Sequence, residues 1–263
     1  MDFDFSRIAV PFRMQPGLQR LDPGARHLTP LAPGSPLWQE KKRVVDSGAS
    51  RIAVPGFDAG PAIEAILQQA LAEGLPAAEP VELAFEEDFA VLDGDSATLP
   101  WLCVCVPSHW APEDKLGQAF AAVHAPVADN AALLAAGRQL VQLVTGGDRF
   151  ERFVWTLTPS GRYDQHPRRR PRAPWPDPID PDAFACQCFL RWERQTFFPI
   201  PGGRQAVFTI RVVLRPLVEV VRTHDDAKRL HDALASMSEA VLAYKNLAAA
   251  RAPLLTWLAA RAR

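Results

Sequence analysis

The sequence carries almost no net charge. Its 29 Lys and Arg against 30 Asp and Glu leave a formal −1, with both signs mixed, so neither nucleic acid nor an anionic membrane surface is favoured as a partner. No apolar run approaches the roughly eighteen residues of a membrane span, and the opening M-D-F-D-F-S-R has acids where a secretory leader needs cations. The expected location is therefore cytoplasmic. Cysteine is scarce: there are four, in two C-x-C pairs, Cys103 with Cys105 and Cys186 with Cys188. Both pairs fall in strand-like patterns, whose alternation puts each pair on one face. Zinc ligands usually stand two to four residues apart on turns, so buried reduced thiols are favoured over a tetrathiolate site, and nothing indicates a secreted disulfide scaffold. Also missing are a G-x-S-x-G elbow, a phosphate-binding Gly-rich loop, a dinucleotide fingerprint and an H-E-x-x-H helix.

What the chain does have is apolar mass. It is 263 residues long and 48% hydrophobic, enough for a sizeable core. Residues 1 to about 37 are rich in Pro and Gly and read as an arm over the surface, anchored by Phe3, Phe5, Phe12 and Leu18. The string S-R-I-A-V-P at Ser6 and again at Ser50 lacks similar flanks and is no structural repeat. Helices are predicted at Leu37 to Val45, with Lys41, Lys42 and Arg43 on a solvated face, and at Pro61 to Glu73. The period then changes to two. Val81, Leu83 and Phe85 lead into Phe89 to Leu92, Asp93-Gly94-Asp95 turns, and Leu99 to Val106 returns. A helix follows Pro112 and another spans Asn130 to Val144. Strands recur around Phe153 to Leu157, Cys188 to Trp192 and Ala206 to Leu214. Asp225 to Tyr244 reads as the longest helix, and Pro253 opens a last short one. This order predicts an α+β fold, a PAS-like five-stranded antiparallel sheet with helical additions at both ends. Residues 1–80 form the arm and helices packed on a core of 81–263, as one compact unit. The Pro- and Arg-rich stretch Pro159 to Asp182, with Arg168, Arg169, Arg170, Arg172 and Trp175, is expected to be a mobile insertion, with docking of a partner or covering of a pocket as the alternatives.

Candidate chemistry centres on Pro107 to Val127, where His109 and His124 flank a predicted amphipathic helix with Lys115 off its apolar face. A histidine at a helix end beside an apolar face suits a metal or haem iron, since neutral imidazole is the commonest metal ligand, but also suits an ordinary half-buried side chain bonded to backbone. His109 is the second candidate for such a ligand, though a histidine there more often caps the neighbouring helix. Ser108 beside it is no catalytic pair, because adjacent residues point apart. In the fourth strand Arg191, Glu193 and Gln195 share one face, and Leu190 and Trp192 the other. With Arg211 nearby, the polar row suits either a pocket whose arginines bind carboxylates and whose Glu193 receives a cation, or a salt-bridge ladder that stiffens the sheet. His27, His166, His224 and His231 carry little information.

Three segments then form a set: P-S-H-W-A-P-E-D-K-L-G with V-H-A-P-V; R-F-V-W at Arg152 to Trp155; and R-W-E-R-Q-T at Arg191 to Thr196, running through P-G-G to F-T-I-R at Phe208 to Arg211 and R-P-L. From about Val81 to Lys245 the chain resembles the haem-dependent oxidative N-demethylase alpha-subunit family. The resemblance implies a PAS-like domain holding haem b and a monooxygenase that uses dioxygen to remove a methyl group from a secondary amine as formaldehyde. Electrons would come from NADPH through the flavin and iron-sulfur centres of a separate reductase. By the same likeness His124 is the expected iron ligand, with His109 behind it. Arg191, Arg194, Arg211 and Lys115 become candidates for propionate or pocket contacts, and Glu193 for orienting a cationic substrate. The chain departs from the family pattern at Val154, where Asn is common, at Val212 and Val213 in place of T-Y, and at Phe198 and Pro199 in place of arginines. Those departures imply a more apolar substrate, or haem binding without demethylation. A non-catalytic haem or small-ligand sensing module is thus the alternative function, and an interaction protein docking through its arginine loop is a third.

Overall fold

The computed structural model describes residues 3–177 and 180–262. Seven strands form one antiparallel sheet: β1 (Gln19–Arg20), β2 (Arg51–Ala53), β3 (Glu87–Asp93), β4 (Trp101–Cys103), β5 (Phe150–Thr158), β6 (Phe189–Ile200) and β7 (Gln205–Pro216), in the order β1-β5-β6-β7-β3-β4-β2. Its spine is the hairpin β6–β7, in register from Phe189 opposite Pro216 to Ile200 opposite Gln205. The turn between them uses Gly202 at φ +88°, a conformation that costs glycine least. The five expected strands are all present and adjacent, but the sheet is wider than five. The arm supplies an extra strand, β1, at one edge, and β2, which follows the arm in the chain, lies at the other; at two and three residues neither is long enough to show a period-two pattern.

Eleven helices lie among the described residues: α1 (Pro36–Asp46), α2 (Gly60–Ala72), α3 (Val81–Ala84), α4 (Phe120–His124), α5 (Ala131–Ala135), α6 (Gly137–Val144), α7 (Pro181–Cys186), α8 (Leu217–Val220), α9 (His224–Ala235), α10 (Glu239–Tyr244) and α11 (Ala248–Arg261). Several differ from expectation for local reasons. Val81 and Leu83 alternate, yet they sit in the turn of α3, where the amides of Leu83 and Ala84 both donate to Pro80 O. The predicted helix over Asp225 to Tyr244 is two, because the Ser236 hydroxyl turns back on the Asp232 and Ala233 carbonyls and Ser238 caps the next helix through Val241 N. Asn130 to Val144 likewise breaks at Ala136, between α5 and α6. The longest helix is α11, which keeps Pro253 inside it.

The sheet has two differently dressed faces. On one, Leu190 and Trp192 of β6 meet Phe184 of α7, Leu230 and Leu234 of α9 and Leu254 and Trp257 of α11, and Phe3, Phe5 and Ile8 of the arm close the same cluster. Each such fully buried side chain contributes about 1.5–3 kcal/mol. Farther along this face Phe89, Val91, Phe198 and Val207 pack with α2. The opposite face carries Ala90, Leu102, Phe197 and Phe208 and is covered by the connection between β4 and β5. At its end, α1 sets Leu37 and Val44 against Cys105, Val106, Ile210 and Val212.

Lys41 shares that inner stripe of α1, one turn from Leu37, so it is not solvated as expected. It is fully buried, donates to Phe85 O at 3.0 Å and Glu87 O at 2.7 Å, and stands 3.2 Å from Asp88 Oδ1. Burial works against its charge, but Asp88 and the other groups around it outweigh that and raise its pKa. Cys103, Cys105 and Cys188 are buried thiols, whereas Cys186 is exposed, because it ends α7 instead of belonging to a strand. Among the described residues no cluster of three or more His, Cys, Asp or Glu is arranged to hold a metal ion, and no helix is long and apolar enough to cross a membrane.

Candidate functional site

Strand alternation puts Arg191, Glu193, Gln195 and Phe197 in one row. The register adds Thr156, Val154, Arg152 and Phe150 of β5 on one side and Leu214, Val212, Ile210 and Phe208 of β7 on the other. Pro107 to Val127 lies over this row, but not as one helix. After a single 3-10 turn at Pro112–Asp114, Gly117 takes φ +70°, and the backbone pairs back on residues 97–99. Gly117 N donates to Leu99 O at 2.8 Å and Phe120 N to Ala97 O at 2.8 Å. Only then does α4 begin, and His124 is its last residue.

That position fixes the imidazole. Nδ1 lies 2.8 Å from Phe120 O, and a carbonyl can only accept, so Nδ1 carries the proton and Nε2 keeps its lone pair. Nε2 makes no hydrogen bond among the described residues. The ring packs 4.1 Å from that of Phe120. Burial first, then the nearby charges of Arg152 and Lys115, pull its pKa down to about 4 against the opposing backbone bond. His124 is therefore neutral at pH 7, the state in which an imidazole ligates a metal.

Glu193 sits at the centre of the row and is nearly buried. Its Oε1 accepts a short hydrogen bond from the Ser108 hydroxyl, and its Oε2 accepts from Gln195 Nε2 at 2.6 Å. Ser108 in turn accepts from Arg191 Nε at 2.8 Å. Arg191 sends its remaining nitrogens to Tyr163 O at 2.9 Å, Arg162 O and Val106 O; burial lowers its pKa to about 10. Its guanidinium thus latches the chain around Ser108 to the start of the arginine loop and holds the Glu193 carboxylate through Ser108.

Three further cations couple to Glu193. Arg152, Lys115 and Lys245 all keep partial exposure, yet burial is the largest cause of each lowered pKa, to about 8 for Lys245. Tyr244 joins them, its hydroxyl pKa raised by the same burial. Lys115 Nζ lies 5.0 Å from the Trp110 ring centre, Lys245 donates to Trp155 O at 2.7 Å, and Arg152 Nε has no hydrogen-bond partner. Three desolvated cations against one carboxylate, with a free neutral imidazole and aromatic walls from Trp110, Phe120 and Phe208, make a surface suited to a flat, apolar ligand that carries two acidic arms. These residues could hold a haem: an imidazole nitrogen for iron and an unpartnered arginine nitrogen for a propionate.

Not every expected residue comes here. Arg194 and Arg211 face each other across β6 and β7 on the opposite side of the sheet from Glu193. Arg194 pairs with Glu151 at 3.0 Å and donates to Arg26 O, and Arg211 pairs with Glu86 at 2.6 Å. The expectation that Arg211 lies beside the polar row fails because the register gives it the other face. His109, at φ +60°, caps no helix; it lines a cleft of about 230 Å³ with Ser160, Arg162, Asp164, Gln165, Arg170, Pro171 and Ala173, which includes neither His124 nor Glu193. Burial, then Arg172 and Arg191, lower its pKa to about 4.

The described part of the arginine loop is tied down, contrary to the expected mobile insertion. The amides of Tyr163 and Asp164 donate to the Glu40 carboxylate, Arg169 reaches Asp164 and Cys105 O, and Trp175 Nε1 donates to Asn246 O at 2.6 Å. His166 and His27, expected to be uninformative, are both buried. His166 Nε2 stands 3.0 Å from Glu113, and His27 Nδ1 bonds Thr196 Oγ1 at 2.8 Å.

Arg152, Ser108, Tyr244 and Lys245 were not anticipated as site residues. The sequence holds a signal for two of them: Arg152 and Ser108 both stand in the motif segments quoted above, but the alternation of Phe153, Trp155 and Leu157 marks only the other face of β5. Residues 69–255 match the family model described as haem-dependent oxidative N-demethylase, alpha subunit-like.

Proposed function

The chain belongs to the haem-dependent oxidative N-demethylase alpha-subunit-like family, and from that premise we propose that it is the haem-binding subunit of a cytoplasmic monooxygenase that removes an N-methyl group from a secondary amine. The observation that carries this reading is His124, whose Nδ1 is committed to Phe120 O and whose Nε2 is left to bind iron. The adjacency of β5, β6, β7, β3 and β4 supports a PAS-like sheet as the wall behind the haem. Arg152, Lys115 and Lys245 would hold the propionates. When bound and reduced, the haem supplies dioxygen activation, with electrons passed from NADPH through flavin and iron-sulfur centres of a partner reductase.

The chain's own residues position the substrate. Glu193 receives the ammonium of the amine in a charge-assisted hydrogen bond, while Ser108 and Gln195 keep its two oxygens fixed. Val154 and Val212 flank Glu193 on the neighbouring strands, so the groups beside the amine meet apolar surface and water is kept from the N-methyl carbon. The products are formaldehyde and the amine one methyl shorter. This selects an amine with an apolar substituent.

Haem reconstitution followed by visible spectroscopy tests the reading. The wild type and His109→Ala should give the same Soret band, and His124→Ala should lose it or shift it; an unchanged band in His124→Ala overturns the assignment. Formaldehyde release on addition of a secondary amine, NADPH and a reductase then separates an oxygenase from a haem sensor.

A further inference from the structure

We propose that the cleft beside the arginine loop is a second binding site, for a small polyanion bearing carboxylate or phosphate groups. The loop contributes five arginines, and they are not equivalent. Arg168 is paired with Glu113 and Asp114, and Arg169 with Asp164. Arg162 and Arg170 line the cleft and have no carboxylate partner among the described residues. The acid in that wall, Asp164, is already neutralised: Arg169 takes both of its oxygens at 3.0 Å, and His166 N donates to Oδ1. Two arginines without a carboxylate partner among the described residues thus stand in the lining of the cleft, and forked guanidinium N–H groups match carboxylate and phosphate oxygens.

Its remaining walls suit a small polar molecule. His109 adds a neutral imidazole, Ser160 a hydroxyl, and Gln165, almost fully buried, leaves Oε1 without a partner. A buried polar atom without a partner calls for a water or a ligand hydroxyl. The walls are also fixed in advance. Arg191 grips the carbonyls of Arg162 and Tyr163, and Glu40 grips the amides of Tyr163 and Asp164, so little ordering remains to be done on binding. At about 230 Å³ and concave, the site favours a small molecule over the flat acidic surface of a protein.

The test is calorimetric titration of the full chain with sodium phosphate, malonate and citrate, each against sodium chloride at matched ionic strength. Saturable binding of at least one is expected, and whether phosphate or the carboxylates bind identifies the source chemistry. Arg162→Gln and Arg170→Gln should each weaken it about ten-fold or more, while Lys42→Gln, an exposed charge elsewhere, should leave it unchanged. Binding that follows ionic strength alone, or that survives both arginine substitutions, overturns the proposal. So does binding of poly-glutamate without any of the small anions, which would make the arginines a protein-docking patch. Repeating the titration on the haem-loaded chain completes it: retained affinity supports a separate site, and loss on loading assigns the cleft to the haem propionates. None of the titrations on the haem-free chain depends on haem being taken up, so failure here and failure of the oxygenase reading are distinguishable.

Discussion

Glu87 is the residue on which pH acts most directly. It is fully buried, Oε2 accepts from Thr29 N at 2.9 Å, and Oε1 has no partner. Burial pushes its carboxyl up to about 7 from the ordinary 4.5. A carboxyl raised on folding contributes stability that is full below the unfolded value and lost as pH rises through the folded one. The window is therefore pH 4.5 to 7, and the loss at pH 8 reaches roughly 3 kcal/mol. Urea unfolding at pH 5 and pH 8 should show Glu87→Gln reducing that slope; an equal slope in both proteins removes Glu87 as its source. Arg152 makes a different trade. Its desolvated guanidinium has an unpartnered Nε, which costs the haem-free chain stability. Arg152→Leu should thus leave the haem-free chain as stable or more stable while weakening haem binding about ten-fold, checked by thermal melts beside haem titration. A role confined to folding predicts the reverse.

At the level of elements, the segment over the site depends on one backbone conformation. Gly117 holds φ +70°, and a Cβ placed there would come 3.1 Å from Val54 Cγ1. Gly117→Ala should cost about 1–3 kcal/mol and disturb the 97–120 pairing first, visible as faster amide exchange at Gly117 and Phe120 than in the sheet core. The same conformation explains what the sequence pattern could not reveal. Leu116, Ala119, Phe120 and Val123 recur at helical spacing, and nothing local says that the backbone between them turns to pair with residues 97–99. Where side-chain period alone decides, as in β5, β6 and β7, the strands and the facing of Glu193 and Arg191 were legible. The face of Arg211 was not, because it depends on the register with β6, a long-range property. The burial of Lys41 is hidden for a related reason: only Asp88 and the distant carbonyls of residues 85–87 mark it.

For the whole molecule, the arm is part of the core. Phe3 and Phe5 stack edge to face at 5.1 Å, and Phe3 lies 5.2 Å from Trp192, inside the cluster shared with α9 and α11. Phe5→Ala should accordingly cost about 3–5 kcal/mol and lower the urea midpoint with an unchanged m-value, since the loss belongs to global unfolding; a change confined to proteolysis of the first residues would mark the arm as peripheral. The sheet edges carry a related consequence. β1 is hydrogen-bonded to β5 and β2 to β4, so both outer strands are made earlier than the strands that receive them. During translation residues 19–20 wait for a partner about 130 positions downstream, and contacts of such separation form late. A ribosome-bound chain halted before residue 150 would thus hold its N-terminal strand unzipped, an early-made segment sealed only after more than half of the polypeptide has followed it.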